Sequence, residues 1–80
     1  MRARVFVTLK EGVLDPQGLA IQGALGALGF DGVNFVRQGK VFYIELDSDE
    51  DAETRLRDMC GKLLANTVIE DFRIELQNAP

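Results

Sequence analysis

The chain has 80 residues, 46% of them hydrophobic, with 13 acidic and 9 basic side chains, a net charge of −4 and no histidine. A chain of this length, read as one domain over residues 1–80, buries roughly 60–65% of its unfolded surface, so its core is modest and association would extend it. The acidic balance excludes a nucleic-acid backbone as the expected partner, and no apolar run approaches the ~20 residues that span a bilayer. The N-terminal residues enter strand pattern at once rather than a signal peptide, which makes the cytoplasm the expected location.

In chain order, Val5, Val7 and Leu9 alternate with Arg4, Phe6, Thr8 and Lys10, the period of a strand with one buried face. Asp15 and Pro16 then open a helix, the aspartate as N-cap and the proline at the first helical position, where an absent N–H has no partner to lose. Leu19, Ile21, Ala24, Leu25 and Leu28 follow at helical spacing, and Gly29 suits a left-handed stop. Gly18, Gly23 and Gly26 each cost that helix about 0.5–1 kcal/mol relative to alanine, so packing or a close neighbour must hold it.

Two β-rich runs, Val33 to Arg37 and Val41 to Leu46, flank Gln38-Gly39-Lys40 and read as a hairpin. Ser48, with Asp51 three residues on, predicts the start of a second helix, and Asp49, Glu50 and Asp51 suit its positive end. Its buried stripe would be Ala52, Leu56, Met59, Cys60, Leu63 and Leu64. Asn66 is the expected left-handed stop. Val68 to Leu76 makes the last strand, before a frayed Asn78-Ala79-Pro80 tail.

The order βαββαβ predicts a ferredoxin-like α+β fold, a four-stranded antiparallel sheet with two helices on one face. The other face would carry Phe6, Val41 and Tyr43 among Thr8, Glu45, Arg73 and Glu75. Monomers rarely leave contiguous apolar patches uncovered, so this face or the edges beside it are expected to pair with another copy, as a homodimer or higher homo-oligomer.

The chemistry of catalysis is missing. Without histidine there is no common general base or imidazole ligand. Cys60 lies on the predicted buried stripe with no second thiol, so it reads as a core residue, and a single cysteine agrees with a reducing compartment. Asp47, Asp49, Glu50, Asp51 and Glu53 lack the spacing of a calcium loop and read as a solvated helix start. Arg37, Gly39 and Lys40 offer two cations and a backbone donor at the hairpin tip, but no phosphate-binding string accompanies them. Asn66, Glu70 and Asp71 cluster where the second helix meets the last strand. Lys10 and Glu11 have no task in capping or turn geometry. Lys10, Glu11, Asn66 and Glu70 are therefore the candidate partner contacts, with no catalytic, metal or cofactor-binding residue expected.

The string Leu9-Lys10-Glu11-Gly12-Val13-Leu14-Asp15-Pro16-Gln17-Gly18, with Ala24-Leu25, Leu28-Gly29-Phe30, Val33, Val36-Arg37 and Gly39-Lys40 after it, resembles the PurS family. These are small S subunits of phosphoribosylformylglycinamidine (FGAM) synthase. Met59-Cys60 through Leu63-Leu64-Ala65-Asn66 to Val68-Ile69-Glu70-Asp71-Phe72 is similar to that family's last helix and strand. Thr67 departs from it, standing where the family often has proline, which leaves this turn without a ring to restrict φ.

The resemblance implies a noncatalytic subunit of a ligase in purine biosynthesis. A glutaminase subunit would release ammonia from glutamine. A synthetase subunit, using ATP and magnesium that this chain does not bind, would activate the amide oxygen of formylglycinamide ribonucleotide (FGAR) for displacement. The small subunit would bridge the two as a dimer and help the ammonia transfer, with no activity alone. An ACT-like small-molecule-binding regulatory domain shares the element order and is the alternative. An RNA-recognition module, a metallochaperone and an acylphosphatase are excluded for want of the ribonucleoprotein pattern, a Cys-x-x-Cys loop and a phosphate-cradling loop, respectively.

Overall fold

The computed structural model describes residues 1–77, so the expected tail at Asn78–Pro80 lies outside the described residues. Five regular elements follow in order: β1 (Arg2–Leu9), α1 (Pro16–Ala27), β2 (Gly39–Glu45), α2 (Ala52–Met59) and β3 (Glu70–Gln77), with a π-turn over Cys60–Leu64 after α2. The sheet has three strands, not four. Its order is β2-β1-β3, and both pairs are antiparallel.

Register places Val5 opposite Phe42 and Ile74, and Phe6 opposite Val41 and Arg73. Opposed residues share a face, so Ala3, Val5, Val7, Phe42, Ile44, Phe72 and Ile74 line one side. Beneath α2, Ala3, Val5 and Val7 form the core with Leu46, Ala52, Leu56, Cys60 and Ala65. The opposite, open side carries Arg4, Phe6, Val41, Tyr43, Arg73 and Glu75, the composition expected from the strand pattern.

The expected hairpin does not form. Val33–Arg37 is extended but has no ladder to β2, and Gly39 stands inside the sheet rather than at a tip. A Cβ at Gly39 would lie 2.7 Å from the Val7 carbonyl oxygen, so the residue answers a close approach of strands, not a turn. The chain keeps running outward past Gly39 because the bonds holding residues 37 and 38 go to the loop after β1: Arg37 Nη2 donates to the Lys10 carbonyl at 2.7 Å, and the Gln38 N–H donates to Asp15 Oδ2 at 2.9 Å.

The second correction concerns α1, which lays no face on its own sheet. Gly18 is its one buried residue. Its ends are as the sequence predicts: Asp15 Oδ1 accepts from the Gly18 N–H at 2.9 Å, Pro16 begins the helix, and Gly29 has φ +93°. The Phe30 N–H bonds back to Leu25 O and the Gly29 N–H to Gly26 O, a Schellman closure. The helix and the Val33–Arg37 return thus form an arm. The described chain extends over 48 × 31 × 14 Å with a radius of gyration of 16.0 Å, against about 12 Å for a compact chain of this length.

Helix α2 starts later than predicted. Asp51, at φ +50°, is its N-cap and makes no side-chain capping bond, so the expected Ser48–Asp51 box is absent. Aspartate tolerates that left-handed conformation better than most residues. The stripe Ala52, Leu56, Cys60 is buried as predicted, but Leu63 is 83% exposed. The cause is the π-turn: the Ala65 N–H bonds to Cys60 O, five residues back, and the added residue rotates Leu63 off the buried stripe. Asn66 is also not a left-handed stop, since Asp51 is the non-glycine residue with positive φ among the described residues.

Candidate functional site

The loop after β1, the base of the arm and the turn into β3 meet at one end of the sheet. Lys10 comes there because its N–H continues the pairing of β1, donating to Ile69 O at 2.8 Å, and its Nζ stands 4.0 Å from Asp71. Lys40 Nζ lies 3.7 Å from Glu70 Oε2. Glu70 Oε1 accepts from the Asn66 N–H at 2.7 Å, and Asn66 Oδ1 accepts from the Val68 N–H at 3.2 Å. The Asn66 carbonyl takes both the Ile69 and Glu70 N–H groups. Hydrogen bonds therefore hold the Thr67 turn that the family's proline would otherwise restrict.

Of the sequence-predicted contacts, Lys10, Asn66 and Glu70 gather at this end, while Glu11 stands exposed a few residues along, on the arm's outgoing leg. Arg37, Gly39 and Lys40 do not form a phosphate cradle. Arg37 is bonded to a carbonyl, Lys40 faces a carboxylate and Gly39 is packed against β1.

The arm base has a second layer that local reading missed. Asp15 accepts at both oxygens, one from its own helix start and one from Gln38, 23 residues on. The Gln38 amide also donates to Gln17 Oε1. These bonds, led by the Gln38 N–H and then the Gly18 N–H, hold the Asp15 carboxyl below the usual carboxylate range. A Cβ at Gly18 would stand 2.5 Å from both Asp15 Oδ2 and Val36 O, so glycine here permits the two legs of the arm to touch. The sequence showed the cap; nothing in it signalled a partner so far along the chain. Beside this junction lies an apolar groove of about 570 Å³, lined by Val13, Leu14, Leu19 and Phe35 with Glu11 and Arg37 at its rim.

On the open sheet face the Arg73 guanidinium stacks 4.2 Å from the Phe6 ring centroid. Glu75 accepts from Arg73 and pairs with Arg4 at 3.0 Å, and the Arg73 bond is the leading cause that lowers the Glu75 carboxyl's pKa. Tyr43 is 79% exposed beside them. Cys60 is buried, and burial pushes its thiol up, away from the thiolate that nucleophilic chemistry needs. Among the described residues no group of three or more His, Cys, Asp or Glu side chains is placed to hold a metal ion. No helix among them is long and apolar enough to cross a membrane. The geometry provides surfaces for contact and no assembled reaction centre.

Residues 2–78 match the family model for PurS, phosphoribosylformylglycinamidine (FGAM) synthase. The chain belongs to the PurS family. It is 48% identical over 77 residues to the PurS subunit of phosphoribosylformylglycinamidine synthase from Bacillus subtilis, covering 95% of this chain and 92% of that one. The crystal structure of PurS from Methanocaldococcus jannaschii, one of the subunits of formylglycinamide ribonucleotide amidotransferase, superposes with a TM-score of 0.90 at 40% identity, over 99% of this chain and 98% of that one. A chain in the PurLQS structure from Thermotoga maritima superposes with a TM-score of 0.81 at 26% identity, covering 92% and 93%. The PurS chain described here thus shares both sequence and three-strand architecture with proteins named as subunits.

Proposed function

We propose that this PurS chain is a noncatalytic subunit of FGAM synthase, acting in purine biosynthesis on the conversion of FGAR to FGAM. The observation that carries the reading is the family match across nearly the whole chain, joined to its likeness to a chain in PurLQS. That match favours a ligase subunit over an ACT-like regulatory domain. Its task is assembly. It bridges the glutaminase and synthetase subunits and supports passage of ammonia between them, while ATP and magnesium act on the synthetase subunit.

Lys10, Glu11, Asn66 and Glu70 are the proposed contacts with the large subunits, and the grouping of three of them at one end of the sheet supports this. Self-association belongs to the same reading, with Phe6, Val41 and Tyr43 supplying apolar contact on the open face, and the assembly resides in the cytoplasm. The test is reconstitution. The isolated chain is expected to cleave neither glutamine nor ATP, and its addition to the two cognate large subunits restores glutamine-supported amidine formation. Equal activity without it refutes the bridging role.

A further inference from the structure

No residue from Pro16 to Phe30 carries a charge, so α1 is apolar or uncharged on every side. A helix of that kind belongs in an interior. Here it stands outside one, with Leu28 74% exposed, and Phe35 on the returning leg is 72% exposed. The sheet has the matching deficit. Helix α2 packs toward β3, leaving Phe42 and Ile44 on the same face only half-buried and without a helix over them. The outer edge of β2 is unpaired, and Val33–Arg37 is extended without a strand beside it. Each chain therefore holds out one helix and one strand, and lacks one helix and one strand.

We propose that two copies exchange these arms. Helix α1 of a second copy lies over Phe42 and Ile44 beside α2, and Val33–Arg37 of that copy runs antiparallel along the free edge of β2 as a fourth strand. The contact is isologous: the arm and the acceptor surface of each copy meet those of the other, which closes the pair. Exchange also removes an open strand edge, which isolated sheets otherwise leave available for uncontrolled pairing. The occupant is a second copy because the element that would fill the gap is the one this chain extends away from it. The junction at Asp15 sets that direction: the carboxylate ties residues 15–18 to Gln38, and Arg37 ties to the Lys10 carbonyl, so both legs leave the sheet together.

This inference deepens the self-association in the reading above and does not depend on the bridging role. Sedimentation of the full chain at about 10 µM, with isotope-filtered NOE spectra on an equal mixture of labelled and unlabelled chains, tests it. The expected result is a dimer showing intermolecular NOEs from the α1 methyl groups of Ile21, Leu25 and Leu28 to Phe42 and Ile44. The double variant Leu28→Asp with Phe35→Asp, whose sites are exposed within one chain, is expected to raise the dimer dissociation constant at least 100-fold. Tyr43→Asp on the open face changes it less than tenfold. A monomer overturns both exchange and self-association. A dimer whose α1 contacts all lie within one copy, or that yields to Tyr43→Asp and not to the arm variant, overturns exchange while leaving self-association through another face.

Discussion

Replacing Leu56 with alanine tests the packing account where it is most exposed to error, the phase of the second helix. Leu56 is 0% exposed and sits at the centre of the cluster formed with Val5, Val7 and Cys60. Emptying such a site costs about 2–5 kcal/mol, with ~3 kcal/mol a fair central value. A chain of this length has a total stability of about 4–12 kcal/mol at roughly 0.05–0.15 kcal/mol per residue, so one substitution removes a large share. With a urea slope of about 1.5 kcal/mol/M, the unfolding midpoint falls by about 2 M. Leu63→Ala is the paired control. In an uninterrupted α-helix Leu63 would follow Leu56 by seven residues on one face and its loss would cost a comparable amount. The π-turn instead exposes it, and the expected change is within about 0.5 kcal/mol. The assay is urea unfolding by circular dichroism at fixed subunit concentration, repeated at tenfold higher concentration because self-association adds stability. Equal losses for the two variants, or less than 1 kcal/mol (roughly) for Leu56→Ala, would refute the reasoning.

Two further outcomes follow from the ionisable groups. Asp15 has its folded pKa depressed, so its contribution to holding the arm is complete above the ordinary carboxylate value of roughly 3.9 and is lost as pH falls through the lower folded value. The Gly18 and Gln38 amide resonances should titrate together at that lower value, and a midpoint at or above the ordinary one contradicts the clamp; Glu75, also lowered, titrates separately on the open face. Cys60 is buried with a raised pKa, so at pH 8 a disulfide reagent should modify it more than about tenfold slower in the native protein than in urea. Comparable rates would place the thiol at the surface.

The local elements were legible because their causes are local. Asp15-Pro16 opens α1 and Gly29 closes it through bonds within a few residues, and the alternation of β1 identified the faces that Val5 and Phe6 occupy. The absence of histidine and the single buried cysteine removed most enzymatic chemistry before any fold was known. The family resemblance rested on the same contiguous string, from Leu9 to Gly18. Even so, the start of α2 was misplaced, because the left-handed Asp51 takes the capping position without using its side chain.

Tertiary structure decided what depends on residues distant in the chain. Whether Val33–Arg37 folds back as a hairpin or runs outward turns on the bonds from Arg37 and Gln38 to Lys10 and Asp15, more than twenty residues away. Strand propensity is the same in either arrangement, so no pattern in those five residues distinguishes them. Likewise a single i→i+5 bond from Ala65 to Cys60 moved Leu63 from the expected core to the surface. Periodicity reports which residues share a face of a regular element, whereas long-range hydrogen bonds determine where that element goes and where its regularity breaks.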